Sequence, residues 1–206
     1  MKIPPVLIEI RPSEMLKGHV GLFAVREMAS GVEIASGTSF QETFEPWSTY
    51  ESLDAQTQRK VDAFCVSAPT GFWMPRDFNL LPVSYFMNHS CDSNVGFNRD
   101  GGFVLLRGVR AGEELCLDYG TCFSDPRFRL ECHCGASICR GVVTGNDWKL
   151  SALQARYDGF FMWEVQEQIN LLHGDDGSEK GKMPELLAIK NSPAEGNELD
   201  SACERQ

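Results

Sequence analysis

Three cysteines lie close together about two thirds of the way along the chain, at Cys132, Cys134 and Cys139, with the spacing C-x-C-x4-C. A structural zinc ion is tetrahedral and takes four ligands, most often thiolates and imidazoles. Three thiolates within eight residues therefore leave one coordination position for another residue. The candidates for that position are Cys91, Cys116, Cys122 and His133. A cluster of free thiols without a metal ion is the alternative.

The four candidates differ in their surroundings. Cys116 stands between Leu115 and Leu117 in an apolar, strand-like run, which favours a buried structural thiol. His133 lies between two cysteines of the cluster, and we expect its ring to point away from the ion. Cys122 is near the cluster in sequence. Cys91 is distant, and its use would tie the cysteine cluster to the segment Asn88–Cys91.

Two further segments carry polar groups that could act on a substrate. Asn88 and His89 precede Cys91, and Tyr119 follows an apolar run at a glycine-containing turn. An isolated Asn-His pair most often bonds to local backbone in a turn. An isolated tyrosine is most often a core residue. These segments therefore indicate a functional site only if the fold brings them together.

The elements expected to position these residues are mostly short strands. Apolar runs separated by glycine turns predict strands near residues 6–10, 21–25, 31–34, 103–106 and 114–117. Weak helical periodicity predicts a helix from about Ser52 to Val66. Asp147 is expected to cap a short helix that continues through Tyr157, and a second helix is expected over 160–172. The polar tail from 174 to 206 is expected to be disordered.

The composition restricts the class of protein. The 206 residues are 42% hydrophobic and 23% charged, as is typical of globular domains. No apolar run reaches the roughly 20 residues of a membrane span, and Glu9 and Arg11 interrupt the N-terminal apolar run, which argues against a secretory signal. We therefore expect an intracellular protein, nuclear or cytoplasmic, with reduced cysteines. The net charge of −10 disfavours direct nucleic-acid binding and suits a basic partner.

Three motifs, in this order, resemble those of the SET-domain family of protein lysine methyltransferases with a post-SET cysteine cluster. They are Lys17-Gly18-His19-Val20-Gly21-Leu22-Phe23-Ala24, Met87–Asn94, and Gly112–Tyr119 followed by Cys132–Cys139. The resemblance extends over roughly residues 6–145. It implies a mainly β fold with short helices, the SET-domain β-clip and pseudoknot. In that fold the Asn88–Cys91 segment threads beneath the strand that carries Tyr119, and C-terminal helices follow the zinc segment.

The resemblance also implies a role for each motif. Tyr119 would be the catalytic residue. The contacts to S-adenosylmethionine would come from Gly21, Leu22, Asn88, His89 and Tyr119. Gly21 would let the backbone approach the cofactor where a Cβ atom would intrude. Cys91 would be the fourth zinc ligand, with Cys132, Cys134 and Cys139.

The chemistry requires a channel for the substrate lysine. An amine of pKa about 10.4 is mostly charged near pH 7, and supplying the neutral form costs roughly 4 kcal/mol. An apolar channel lowers this cost because it disfavours the ammonium ion. The candidate walls are Leu117 and Trp148, with Phe40 or Phe44 as a substitute for the second channel tyrosine of the family. Leu117 has no hydroxyl group to restrain the amine, which favours addition of more than one methyl group.

The chain departs from the family pattern at three places. Ser93 stands where a proline is usual, and His19 replaces the first glycine of the usual G-x-G. No Tyr-x-Gly follows Ile34, so the second channel tyrosine is missing there. These departures motivate an alternative hypothesis, a catalytically inactive SET-fold module that binds other proteins. A zinc-ribbon nucleic-acid binder is a third hypothesis, disfavoured by the negative charge.

The leading hypothesis is an S-adenosylmethionine-dependent protein lysine methyltransferase, monomeric, with a structural zinc ion. Its substrate would be a lysine-containing protein or peptide, with a histone tail as one candidate, and we expect no direct nucleic-acid or membrane contact. The expected organisation is a SET domain over 1–122, a post-SET zinc segment over 123–145, a helical extension over 146–173 and the tail over 174–206.

Overall fold

The structure, a computed structural model, describes residues 3, 5–37 and 42–174. The strands, in chain order, are β1 (Ile8–Pro12), β2 (Val20–Ala24), β3 (Glu33–Ala35), β4 (Glu42–Pro46), β5 (Val66–Ala68), β6 (Gly71–Pro75), β7 (Asn88–His89), β8 (Val95–Phe97), β9 (Phe103–Leu105), β10 (Glu114–Leu117), β11 (Arg129–Glu131) and β12 (Val142–Thr144). The α-helices are α1 (Trp47–Ser52), α2 (Ala55–Phe64), α3 (Ser151–Arg156) and α4 (Trp163–Leu172). The mainly β fold with short helices is therefore confirmed. In the described residues, no helix has the length and apolar character needed to cross a membrane.

The strands form a large sheet and two smaller ones. The large sheet has the order β1-β2-β10-β8-β9-β3, and β7 also pairs with β10. Strands β4, β6 and β5 form a three-stranded antiparallel sheet, and β11 and β12 form a hairpin around the cysteine cluster. Cys132, Cys134 and Cys139 therefore lie in the loop that joins β11 to β12.

Strand β10 is the central element of the site. It pairs antiparallel with β2, and it pairs parallel with both β7 and β8. Cys116 lies opposite Asn88, and Leu117 lies opposite both His89 and Val95. All four residues of β10 are buried, which explains the near-continuous apolar sequence of this strand. The three sequence motifs therefore meet at one strand.

The main core lies between these strands and the three-stranded sheet. Its fully buried members include Leu22, Val95, Leu105 and Leu115. Burying a leucine or valine side chain contributes about 1.5–3 kcal/mol. A separate cluster lies within the C-terminal helices and contains Trp148, Leu153, Tyr157, Phe161, Val165 and Ile169.

The helix predicted from about Ser52 to Val66 is confirmed as α2, but its predicted ends are wrong, since α2 extends only from Ala55 to Phe64. Leu53 and Asp54 have extended backbone between α1 and α2. The Asp54 carboxylate accepts hydrogen bonds from the backbone N–H groups of Gln56 and Thr57, at 2.9 and 3.1 Å. This N-cap starts a new helix instead of continuing the first one.

The prediction that Asp147 caps a helix is also wrong. Asp147 begins a 3-10 turn, and α3 starts at Ser151. Its carboxylate accepts hydrogen bonds from Arg140 Nε and Thr144 Oγ1, both at 2.7 Å, so the carboxylate is committed to tertiary contacts. The second predicted helix, over 160–172, begins only at Trp163. The predicted disordered tail lies outside the described residues, apart from Gly174.

Candidate functional site

Tyr119 stands at the end of β10, where the chain leaves the central strand. The ring lies against His89 and Phe123, with both centroid distances 5.2 Å. The Tyr119 hydroxyl donates a hydrogen bond to the carbonyl oxygen of Met87, at 3.0 Å. Burial raises the pKa of Tyr119, with the nearby Cys122 adding to the effect. The phenol is therefore protonated at neutral pH and acts as a hydrogen-bonding group.

His89 connects Tyr119 to the cysteine cluster. Burial lowers the pKa of His89 to about 4, so its ring is neutral. The ring Nδ1 accepts a hydrogen bond from the Tyr119 backbone N–H, at 3.0 Å. The proton must then be on Nε2, which lies 3.4 Å from the sulfur of Cys91 and donates to it. His89 thus supports the sulfur through a hydrogen bond and leaves coordination to the cysteines.

Asn88 is held by a carboxylate that the motif alone did not single out. Its side-chain amide donates to Glu114 Oε1 and to the carbonyl oxygen of Val20, each at 2.9 Å. Glu114 also accepts from Ser13 Oγ at 2.8 Å. A Cβ atom at Gly21 would overlap the Glu114 carboxylate. A larger residue at position 21 would therefore displace the Glu114 carboxylate from its present position.

The four cysteines implied by the resemblance meet at one point. The sulfur atoms of Cys91, Cys132, Cys134 and Cys139 all lie within 4.8 Å of one another. Cys132 is 3.8 Å from Cys91 and 3.7 Å from Cys139. Four sulfurs at about 2.3 Å from a tetrahedral zinc ion are about 3.8 Å apart. The donor set and its spacing therefore fit a structural zinc ion.

The surroundings of the cluster act on its thiols in opposite directions, because burial raises the pKa of Cys91 and Cys132 whereas hydrogen bonds lower the pKa of Cys134. Backbone N–H groups of Arg140 and Gly141 donate to the sulfurs of Cys91 and Cys139, both at 3.4 Å. Burial raises the pKa of Cys134, but the backbone N–H donor of Ala136 and other hydrogen bonds lower it by more, to about 7. A zinc ligand must be deprotonated, so a lowered pKa assists binding.

The rival ligands lie elsewhere. Cys116 is buried in β10, as predicted for a structural thiol. Cys122 is buried, and its sulfur lies 3.6 Å from the Tyr119 carbonyl oxygen. His133 is exposed. Among the residues that the structure describes, the group of four cysteines that could hold a metal ion does not include Cys116, Cys122 or His133.

An ion-pair network joins the cysteine segment to Tyr119. Arg140 donates two hydrogen bonds to the fully buried Asp118, at 2.6 and 2.8 Å, and one to Asp147. Burial lowers the pKa of the Arg140 guanidinium, but the hydrogen bonds and charge of Asp118 raise it by more. Asp118 also accepts the Gly120 N–H at 2.9 Å, which fixes the turn after Tyr119. In the sequence, Asp118 directly follows an apolar strand, and this position is the signal that could have marked it as a buried carboxylate in need of a cationic partner.

The candidate channel residues have different positions. Leu117 is buried, in the same core cluster as Met87 and with Tyr119 packed against it. Phe44 packs against that cluster, and its ring lies 5.3 Å from Trp73. Phe40 lies outside the described residues. The structure places Trp148 in the core of the C-terminal helices.

Two polar features of the site were missed by sequence reasoning. Tyr85 donates a hydrogen bond to Glu42, and burial raises the pKa of that carboxyl group. Tyr157 contacts the loop after Cys91 through its hydroxyl group. Neither residue belongs to the motifs, and each finds its partner through a long-range contact, so no local pattern marks them.

Comparison with known proteins agrees with this arrangement. The family model described as "SET domain" matches residues 19–120. Histone-lysine N-methyltransferase EHMT1 of Mus musculus is 43% identical over 63 residues, 30% of this chain and 5% of that protein. Histone-lysine N-methyltransferase SUV39H2 of Xenopus tropicalis is 40% identical over 85 residues, 30% of this chain and 21% of that protein. Histone-lysine N-methyltransferase ash1 of Drosophila melanogaster is 34% identical over 77 residues, 34% of this chain and 4% of that protein.

The matched region contains the residues that form the site around β10. It includes Gly21, Asn88, His89 and Tyr119, and the motif order agrees with the strand pairing described above. The chain spans about a fifth or less of the length of these relatives. The match, the relatives and the mainly β architecture agree, and the chain therefore belongs to the SET-domain family.

Proposed function

We propose that the protein transfers a methyl group from S-adenosylmethionine to the side-chain amine of a lysine in a protein substrate. The SET domain over 19–120 supports this proposal, as do relatives named histone-lysine N-methyltransferases. Those relatives are much longer than this chain, so their activity is an inference when it is applied here.

The observation that carries the proposal is the placement of the Tyr119 hydroxyl. The hydroxyl group donates its hydrogen to the Met87 carbonyl oxygen. The lone pairs of the Tyr119 oxygen are therefore free to accept a hydrogen bond from an amine. The surroundings are apolar, with Leu117 and Cys122 buried nearby. A protonated phenol in a water-poor site orients an amine without taking its proton.

The residues present fit S-adenosylmethionine at one well-defined point. Both amide hydrogens of Asn88 are used by Glu114 and Val20, and among the described residues none donates to Asn88 Oδ1. Asn88 is half-buried, and its Oδ1 atom can accept from a cationic amine such as the one at the amino-acid end of the cofactor. The bound cofactor would supply an electrophilic methyl group on a sulfonium. The strand pair β7–β10 holds Asn88 opposite Cys116, on the strand that leads to Tyr119.

The protein's own residues would remove water from around the amine of the substrate lysine. Leu117 and Met87 are almost completely buried, and they surround the Tyr119 ring with hydrocarbon and sulfur. An apolar environment lowers the pKa of an ammonium ion, which increases the fraction of neutral amine. The net charge of −10 favours a basic substrate such as a histone tail, and a histone substrate would place the activity in the nucleus. The leucine at 117 supports more than one methyl addition.

The cysteine segment over 123–145 completes the proposed enzyme. Cys91, Cys132, Cys134 and Cys139 would hold a structural zinc ion. Because Cys91 is three residues after Asn88 and its sulfur accepts from His89, the ion would order the cofactor side of the site. The helical extension over 146–173 then packs on the outside of this unit.

The first test is calorimetric titration of S-adenosylmethionine into the zinc-replete full chain, followed by transfer of a tritiated methyl group to mixed histones. We expect one-to-one binding in the wild type. Tyr119→Phe keeps the ring contacts but removes the hydroxyl group. It should retain binding within a few-fold and lose about 100-fold or more of the transfer rate, the size typical of a group that acts in the transition state.

Tyr50→Phe is the matched control, because Tyr50 bonds through its hydroxyl to Asp62 on an exposed surface. Its binding and transfer rate should equal those of the wild type. Absence of binding to S-adenosylmethionine and to S-adenosylhomocysteine would refute the enzyme. The inactive SET-fold module that binds other proteins would then be the better hypothesis.

A further inference from the structure

The C-terminal extension runs along the loop that carries Asn88 and Cys91. Residues 156–162 contact residues 91–97 and 121 at successive points. The contacts are Arg156 Nη1 to Asp92 Oδ1 at 3.0 Å, the Ser93 N–H to Tyr157 Oη at 3.2 Å, Tyr157 Oη to the Cys91 carbonyl at 3.3 Å, the Phe97 N–H to the Phe160 carbonyl at 3.0 Å, and the Met162 N–H to the Thr121 carbonyl at 3.0 Å. This segment lies beyond the family match, which ends at residue 120.

Tyr157 is the most buried of the residues that the C-terminal extension contributes to these contacts, with 2% of its surface exposed. Its ring packs in the core of the C-terminal helices, with Leu153 and Phe161. Its hydroxyl group reaches the loop, where it accepts from the Ser93 N–H and donates to the Cys91 carbonyl. Both backbone groups are buried, and a buried group without a partner costs about 1–3 kcal/mol. The hydroxyl group therefore fixes the loop on both sides of Asp92.

Ser93 makes this contact available. A proline at this position, usual in the resembled family, has no backbone N–H. Ser93 supplies the N–H for Tyr157, and its hydroxyl group donates to the Cys116 carbonyl at 2.7 Å. The residue thus links β10 to the C-terminal extension. The departure from proline is compensated by a specific partner.

We propose that Tyr157 is a positioning residue, through which the C-terminal extension sets the orientation of Cys91 and of the Asn88–His89 segment. The consequence for cofactor binding rests on the proposed function, whereas the consequence for the metal site does not. The hydroxyl group holds the Cys91 backbone, and the Cys91 sulfur is held in turn by His89 Nε2 and by the Arg140 N–H. Loss of the hydroxyl group frees one ligand of the four.

The first experiment compares Tyr157→Phe with Tyr50→Phe in the full chain reconstituted with Co²⁺. The absorption of Co²⁺ bound to thiolates reports the geometry of the four sulfurs, and competition with a chelator gives the affinity. We expect Tyr157→Phe to shift the absorption bands and weaken Co²⁺ binding about 10-fold, the size seen when a ligand loses an outer partner. Tyr50→Phe should match the wild type. An unchanged spectrum and an affinity within twofold would overturn the proposal.

The second experiment uses Ser93→Pro, which removes the same hydrogen bond from the other side. Alone it should weaken Co²⁺ binding by a similar factor. In the Tyr157→Phe background it should add no more than Ser93→Ala does, because Ser93→Ala removes the hydroxyl group but keeps the N–H, and the bond between that N–H and Tyr157 is already absent. Fully additive effects would contradict the proposal. If Tyr157→Phe fails to fold, as judged by circular dichroism, the comparison of Co²⁺ binding between Ser93→Pro and the wild type tests the proposal instead.

A third measurement separates this inference from the proposed function. If the protein transfers methyl groups, Tyr157→Phe should raise the KM for S-adenosylmethionine several-fold and change kcat by less than twofold. A fall in kcat alone would contradict a positioning role. If the protein binds no cofactor and Tyr157→Phe still weakens Co²⁺ binding, the result would support the positioning of Cys91 by Tyr157. It would refute only the proposed methyltransferase activity.

Discussion

The SET core and the cysteine segment are stabilised in different ways. The core around β2, β8 and β10 buries a contiguous set of large apolar side chains, including Leu22, Leu105 and Leu115. In the cluster around the cysteines, the described residues that are fully buried are Cys91, Cys132 and Val143, and two of these are candidate ligands. The hairpin β11–β12 therefore has little apolar surface of its own to bury.

This difference shows how a short segment can be ordered beside a stable domain. About 25 cal/mol is gained per Å² of buried apolar surface, so a hairpin with one buried valine gains too little to offset its conformational entropy. We propose that a metal ion held by the four cysteines, together with the Arg140–Asp118 pair, replaces the missing core. The cysteine segment would then depend on a metal ion that the SET core does not need.

Substitution of one of the proposed metal ligands should have the largest effect. It should disorder the cysteine segment and leave the SET core folded. Cys132→Ser is expected to abolish stoichiometric zinc binding and to expose 123–145 to proteolysis, because structural zinc supplies folding free energy directly. The strand signal of the core in circular dichroism should persist. Zinc content and limited proteolysis measure the two effects. A variant that keeps one bound zinc ion would show that the four sulfurs are not the ligands.

Leu105→Ala is the reciprocal control for that experiment. Leu105 is 1% exposed in the core, and its truncation should cost about 2–5 kcal/mol of unfolding free energy while zinc binding remains. Parallel loss of zinc in this variant would mean that the two regions are one cooperative unit.

The next largest effect is expected at the junction of the two regions. Arg140→Ala leaves the fully buried Asp118 without its charge partner, which costs about 3–5 kcal/mol when a buried pair is broken. Denaturant unfolding of the zinc-replete protein measures the change. Arg156→Ala is the matched control, since its pair with Asp92 is exposed on both sides and should contribute less than about 1 kcal/mol. Equal effects of the two substitutions would contradict the buried-pair interpretation.

The smallest effect is expected where the core meets the C-terminal extension. Glu164 accepts a hydrogen bond from Trp73 Nε1 at 2.7 Å, and burial raises the pKa of its carboxyl group despite that bond. A raised carboxyl pKa favours folding most at pH values below the unfolded pKa, and the contribution falls as pH rises through the folded pKa. Glu164→Gln keeps an acceptor for Trp73 and removes the charge.

We therefore expect Glu164→Gln to raise Tm slightly at pH 7, by less than about 3 °C, and to give no gain at pH 4. Thermal melting at the two pH values measures this difference. Glu51→Gln, on the exposed side of α1, is the control and should change neither Tm. An increase of equal size at both pH values would show that desolvation of the charge is not the cause.

Much of the site was predictable from the residues, because its chemistry is local in sequence. The cluster Cys132–Cys139 supplies three ligands in one short segment, and Tyr119 follows directly from an apolar strand. The cap predicted at Asp147 was wrong because an ion pair with Arg140 outweighed a local pattern, and the helix predicted over 52–66 begins later because Asp54 caps it. The aromatic character of Trp148 does not by itself specify which core it joins.

The sequence by itself determined most element types, the SET-domain motifs and the candidate site residues, since all of these depend on residue type, spacing and alternation along the chain. The tertiary structure alone decided which distant groups meet. It brought Cys91 to the cysteine cluster, Arg140 to Asp118, and the Tyr157 hydroxyl to Ser93. Such contacts depend on how strands cross in space, and a buried polar group accepts whichever partner the fold delivers to it.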